Sequence, residues 1–257
     1  MPTYRLVVEY DGSAFHGLQF QPGLRTIAGE LETALSRIFH APVSISAAGR
    51  TDAGVHATAQ VIAFHSEREF PIERLARALN GTTPHDLIVR EAAVARDGFS
   101  PRFDARERRY DYLIVNRGAP SAIWRTRAWY VPRPIDDARF TTAAAPLVGI
   151  HDFVTFCGEA PERGGTVREL FELALERRSD ILRVRVRGNG FLHRMVRIIV
   201  GTLVDAATGY RPADFPARAL AARDRHAAGT TAPPHGLYLT GVRYDDFETN
   251  LPVVLGP

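Results

Sequence analysis

With 257 residues, 45% of them hydrophobic and 24% charged, the chain can bury one large core or two modest ones and has the profile of a soluble globular protein, with disorder expected at the ends alone. Its single cysteine, Cys157, excludes an internal disulfide and a multi-cysteine metal site. No apolar run approaches the roughly 18 residues that a membrane span needs, so the expected address is the cytoplasm, with no membrane partner. The formal charge is only +3, yet all 32 basic side chains are arginine, because the chain has no lysine. A planar guanidinium pairs bidentately with phosphate and stacks on bases, so such a surface suits RNA; a GC-rich coding bias would give the same composition.

Tyr4 to Tyr10 alternates as a first strand and ends at the turn pair Asp11-Gly12. A loop from Phe15 to Gln21 leads to Thr26, suited to be an N-cap, after which Ile27, Leu31, Ala34, Leu35 and Ile38 recur at helical spacing. Val43 to Ala47 and Gln60 to Phe64 read as strands. Pro71 opens a second helix with Ile72, Leu75 and Leu79 as its stripe and Asn80-Gly81 as its stop, and Asp86 to Arg90 is a fourth strand. Strand, helix, strand, strand, helix, strand is the order of a split βαβ, ferredoxin-like unit. Phe99 to Arg109 is aperiodic and dense in arginine, which reads as an exposed connector. The boundary placed there gives an N-terminal α+β domain over 1–105 and a C-terminal α+β domain over 106–257.

Tyr110 to Val115 follows as a strand with Tyr110, Tyr112 and Ile114 on one face. Asp136 and Asp137 open a helix with Phe140, Ala144 and Leu147 inward, shortened by Pro146. After His151 to Phe156 comes a glycine- and charge-rich loop around residues 159–165, then a strand pair, Val167 to Leu175 and Ile181 to Arg187. In the second of these Arg183, Arg185 and Arg187 share a face, which fits a solvated surface or an RNA contact. Gly188-Asn189-Gly190 turns into the most regular helical pattern, Leu192, Met195, Val196, Ile199, Val200, Leu203 and Val204, a core stripe. Arg194 and Arg197 fall near its N-terminal end, where the macrodipole disfavours cations, so a carboxylate or phosphate partner is expected. Gly209 ends this helix, a shorter one spans about 217–228, and Leu237 to Val242 closes as a strand. The second half thus again mixes strands with two or three helices, without detectable repetition of the first.

The chemistry gathers at Gly49-Arg50-Thr51-Asp52-Ala53-Gly54-Val55-His56-Ala57. Two glycines allow a tight loop that other groups can approach closely. Arg50 would hold Asp52 ionised below its reference value of about 3.9, ready to act as nucleophile or base; a plain Asx-turn is the alternative. His56 reads as a hydrogen-bonding loop residue. Scattered histidines offer no metal-ligand spacing, and no Walker loop, dinucleotide fingerprint or Gly-x-Ser-x-Gly occurs. What remains is a one-carboxylate site in an arginine-rich protein.

That nine-residue run resembles the signature loop of the TruA family of tRNA pseudouridine synthases. Tyr10-Asp11-Gly12, Thr26 to Leu35, Arg109-Tyr110-Asp111-Tyr112, His151-Asp152-Phe153, Gly190-Phe191-Leu192 with Met195-Val196-Arg197, and Gly236-Leu237-Tyr238-Leu239 are similar to its other blocks, in the family's order. Where many relatives show Gly-Trp-Gln, this chain has Gly17-Leu18-Gln19, and His193-Arg194 and Ile198 also depart. The resemblance implies a pseudouridine synthase-like α+β fold of two ferredoxin-like halves, with mainly antiparallel sheets and a central cleft, and isomerisation of uridine to pseudouridine in the anticodon stem-loop of tRNA, at tRNA positions 38–40, by a homodimer without cofactor or metal. It implies that Asp52 is the catalytic carboxylate, adding to the substrate or removing a sugar proton. Tyr110 would pack on the uracil and assist loss of the C5 proton, and Arg50 would contact the carboxylate or fill the gap left by the flipped base. Arg197 would pair with Asp52, and Leu192 would line the substrate site. An RNA-binding protein of the same fold without the chemistry, and a nucleosidase acting on free nucleosides, are the rivals.

Overall fold

The computed structural model describes residues 2–159 and 164–254. Its elements in chain order are β1 (Thr3–Tyr10), α1 (Ile27–Phe39), β2 (Ile45–Ala47), β3 (His56–His65), α2 (Ile72–Asn80), β4 (Leu87–Ala95), β5 (Glu107–Asn116), β6 (Trp129–Val131), α3 (Asp137–Ala144), β7 (Gly149–Asp152), β8 (Val167–Arg178), β9 (Ile181–Gly188), α4 (Met195–Ala207), α5 (Phe215–Ala222), β10 (Leu237–Arg243) and β11 (Glu248–Asn250). They divide into two compact units, Met1–Arg106 with Tyr238–Val253, and Glu107–Leu237 with Val254–Pro257. This is an α+β protein with mainly antiparallel strand pairing. No helix among the described residues is long and apolar enough to cross a membrane.

In the first unit β1 lies between β3 and β4, antiparallel to both, and β2 pairs with β3. β10 runs parallel to β3, with Tyr238 opposite His56, and carries β11. Residues 238–253 therefore belong with this unit although they stand at the far end of the chain. Thr26 caps α1 by accepting from Gly29 N at 3.1 Å, which satisfies one of the amides left open at a helix start. The helix buries Ile27, Ala28, Leu31, Ala34, Leu35 and Phe39, its stripe ending on Phe39 rather than on Ile38. Phe39 meets Tyr4 and Phe64 with ring centres 5.5 and 5.3 Å away, and Tyr4 stacks on Phe64 at 5.0 Å. Burying side chains of this size stabilises by about 1.5–3 kcal/mol each. The segment expected to be an exposed connector is partly core. Phe99 is buried against Tyr244, whose hydroxyl donates to Pro101 O at 2.8 Å, while residues 107–109 belong to β5.

In the second unit β5 pairs with β6 in parallel and with β9 antiparallel, and β8 and β7 follow antiparallel. Tyr110, Tyr112 and Ile114 stand opposite Val186, Val184 and Leu182 on one face, all six buried. The other face carries the arginine row, and its guanidiniums are engaged by acids from neighbouring strands. Arg183 bonds Glu176 and lies 3.7 Å from Asp111, Arg185 lies 3.6 Å from Glu172, and Arg187 reaches Glu172 at 3.1 Å and Glu107 at 2.8 Å. Arg109 bonds Glu107 at 2.6 Å. Burial raises the Glu107 carboxyl, but hydrogen bonds from Arg187 and Arg109 outweigh it and bring the group down to about 2.

α3 ends at Ala144 and a single 3₁₀ turn containing Pro146 keeps Leu147 buried. α4 starts at Met195, three residues later than its apolar stripe implies, because Arg194 occupies the N-cap in the left-handed region at φ 58°. Gly201 is required in α4: a Cβ there would lie 1.8 Å from Thr230 O. α5 stops at Ala222, before left-handed Arg223, and a 3₁₀ turn over Arg225–Ala227 completes the stretch expected as one helix. Residues 160–163 of the glycine- and charge-rich loop lie outside the described residues.

Candidate active site

In the first unit the run from Gly49 to Val55 forms the loop between β2 and β3, and buried side chains hold it from below. Gln60, fully buried in β3, donates from Nε2 to Gly49 O at 2.8 Å and to the Tyr10 hydroxyl at 3.4 Å. That hydroxyl is 2.8 Å from Thr51 Oγ1. Ala48 N donates to Val61 O at 2.9 Å, and Val55 N to Asp52 O at 3.1 Å, closing a turn that Gly54 completes at φ 78°. Gly49 and Thr51, before Asp52 in the chain, are thus fixed through buried and partly buried polar atoms, where a fully buried bond left unmade costs about 1–3 kcal/mol. Asp52 itself is partly buried.

The first loop of the chain supports the same run from another side. Leu18 N donates to Thr51 O at 3.0 Å, and Gly17, at φ 93°, comes so close that a Cβ would lie 2.9 Å from Thr51 O. A Cβ on Gly12 would lie 2.0 Å from Val55 O. His56 is 2% exposed: Nδ1 accepts from Gly12 N at 3.1 Å, Asp11 Oδ1 lies 3.2 Å from the same nitrogen, and the ring stacks on Tyr238 at 4.6 Å. It hydrogen-bonds as expected, but from the first position of β3 rather than from the loop. Arg50 departs from the ion pair with Asp52 that was one of its two expected roles. Thr51, next to it, turns inward to Tyr10, whereas Arg50 is exposed and makes no ion pair with Asp52 or any other carboxylate among the described residues.

In the second unit Tyr110, 7% exposed on β5, meets Phe191 edge-on with ring centres 5.0 Å apart at 83°. Leu192 is buried beside Phe191 in the chain, and its carbonyl accepts from Met195 N at 3.1 Å at the start of α4. One turn on, Arg197 donates from Nε to Ala232 O at 2.8 Å while its own carbonyl accepts from Ala232 N at 3.0 Å. These bonds orient the guanidinium from the segment that packs on Gly201. Tyr112, on the same face as Tyr110, is different in kind: fully buried, it donates to Pro233 O at 2.8 Å, and burial pushes its hydroxyl well above the usual range. It is a structural donor. Nothing in the sequence assigns Gln60, Tyr10 and Gly17 a supporting role; the blocks Tyr10-Asp11-Gly12 and Gly17-Leu18-Gln19 are the signals near them.

The chain matches the family model described as tRNA pseudouridine synthase over residues 6–104 and 143–245. It is 44% identical over 246 residues to a protein of Caulobacter sp. (strain K31) called tRNA pseudouridine synthase A, covering 95% of this chain and 99% of that one. A protein of the same name from Bacillus subtilis (strain 168) is 41% identical over 244 residues, covering 94% and 99%. One from Thermoanaerobacter pseudethanolicus is 37% identical over 244 residues, covering 95% and 100%.

Proposed function

The chain belongs to the tRNA pseudouridine synthase family, and from that premise we propose that it isomerises uridine to pseudouridine in the anticodon stem-loop of tRNA, with Asp52 as the reacting carboxylate. The reaction breaks the bond from C1′ to N1, turns the uracil, and joins C1′ to C5. The C5 proton goes to solvent and N1 gains one, so atoms balance without a co-reactant. The enzyme has to manage a detached sugar and then remove a proton from carbon. A carboxylate can do the first by adding to the substrate or by taking a sugar proton. A tyrosine can assist the second while its ring packs on the uracil.

The observation that carries this reading is the buried anchorage of Gly49 and Thr51 by Gln60 and Tyr10, which fixes the backbone beside Asp52 before any substrate arrives. In this reading Tyr110 supplies the ring and hydroxyl, Leu192 an apolar wall and Arg197 a cation. Exposed Arg50 serves the RNA, where it takes up the space of the flipped base, rather than the carboxylate. The enzyme acts as a homodimer in the cytoplasm, and sedimentation of the purified protein tests the dimer. Pseudouridine mapping in tRNA from cells lacking the gene tests the function. Loss of pseudouridine from anticodon-arm positions, restored by the gene, is the expected result; an unchanged map together with turnover of free nucleosides would replace this reading with a nucleosidase.

A further inference from the structure

Residues 16–25 form a compact loop closed on itself. His16 N donates to Arg25 O and Gln21 Nε2 to His16 O, both at 2.9 Å, and Leu24 N donates to Gln21 O at 3.2 Å. Arg25 anchors the far end, bidentate to Asp86 at 2.7 and 2.8 Å, bonded to Glu30 at 3.1 Å, and with its guanidinium 4.1 Å from the Phe15 ring centre. The middle is clamped on two sides. Gly17 O and Leu18 O accept from Ile27 N at 3.2 Å and Ala28 N at 2.9 Å, the first helical amides of α1, while Leu18 N holds Thr51 O next to Asp52.

From this frame Phe20 projects with 57% of its surface exposed, beside exposed Gln19. Single exposed apolar residues are ordinary on protein surfaces. Phe20 differs in standing two residues from a backbone bond to the loop that carries Asp52, on a segment whose hydrogen bonds leave it little freedom. One edge of the ring leans on the start of α1, its Cδ2 and Cε2 3.6 and 3.9 Å from where a Cβ on Gly29 would stand, and a ring held on one side presents a flat apolar face at a lower entropy cost than a mobile one. We propose that Phe20 is a stacking platform for an RNA base flanking the target uridine, a reading that rests on the tRNA substrate proposed above. Extruding one nucleotide takes a stacking neighbour from the next base. A fixed aromatic ring replaces that neighbour and accepts any base, because every base has a π-face.

The test is tRNA affinity of the full-length protein, measured at several salt concentrations alongside turnover. Phe20→Ala should weaken affinity by about five- to a hundredfold, mainly in KM rather than kcat, with an unchanged melting temperature. The slope of log affinity against log salt should stay as it is, because no phosphate contact is lost. Phe20→Tyr, which keeps the ring, should restore affinity to within about twofold. Affinity unchanged in Phe20→Ala, or not restored in Phe20→Tyr, would overturn the proposal. A sedimentation coefficient shifted by Phe20→Ala would do so too, because it would make the ring a subunit contact. If wild-type protein binds tRNA but never forms pseudouridine, the parent reading fails while the affinity series still decides whether Phe20 stacks on RNA.

Discussion

Replacing Glu107 by Gln removes a charge that two arginines share inside the second unit. The carboxylate is 2% exposed and accepts from Arg109 Nε at 2.6 Å and from Arg187 at 2.8 and 3.1 Å. Its folded value of about 2 stands against an ordinary 4.5. Each pH unit between them corresponds to about 1.4 kcal/mol, so Glu107 contributes roughly 3 kcal/mol at neutral pH. This is an upper figure, since Arg187 is 38% exposed and screened by solvent. The folded value is depressed, so the contribution is complete above 4.5 and is lost as pH falls from there towards about 2. Urea unfolding followed by tryptophan fluorescence reads the right unit, because both tryptophans, Trp124 and Trp129, lie within Glu107–Leu237. The variant should be less stable than wild type by about 2–3 kcal/mol at pH 7, and the gap should close through that acid window. A gap below about 1 kcal/mol at pH 7, or one that does not change with pH, would refute the reasoning.

Gly201→Ala places a methyl group 1.8 Å from Thr230 O, against backbone on the far side. It should cost at least about 1–3 kcal/mol in the same unfolding assay, and because Ala232 moves with Thr230, turnover should fall through Arg197 even under conditions where the variant is folded. Wild-type stability would show that the segment around Thr230 yields freely. Tyr110→Phe keeps the ring against Phe191 and removes only the hydroxyl. Turnover should drop at least tenfold by order of magnitude if that hydroxyl moves a proton, with tRNA affinity nearly unchanged; a wild-type rate would confine Tyr110 to packing.

Local signals were readable where chemistry and geometry act over a few residues. Thr26 and the stripe behind it place α1, and Pro146 marks where α3 gives way to a tighter turn. The loop around Asp52 stands where its flanking strands and glycines put it, although β3 begins at His56 and takes in the last part of the run. What was not readable depends on partners distant in sequence. The connector looked exposed because nothing near Phe99 announces Tyr244. β10 joins the first unit by pairing with a strand some 180 residues earlier, and no local pattern encodes that. The alternation of Arg183, Arg185 and Arg187 is plain, but their acids come from other strands, so the partly solvent-exposed row is also an ion-pair ladder. In the second unit the left-handed N-cap at Arg194 delays α4, and in the first the inward turn of Thr51 leaves Arg50 outside. Three-residue strands such as β6 and β11 are too short to show a period.

The central claim is that the carboxylate of Asp52 reacts. Tritium release from tRNA labelled at C5 of uridine, measured side by side for wild type and Asp52→Asn, tests it most directly. Asn keeps size and shape and leaves the bonds of Gly49 and Thr51 in place, so tRNA binding should stay within several-fold. Wild type should release tritium and the variant none above background, whereas release by Asp52→Asn at a rate near wild type would contradict the account.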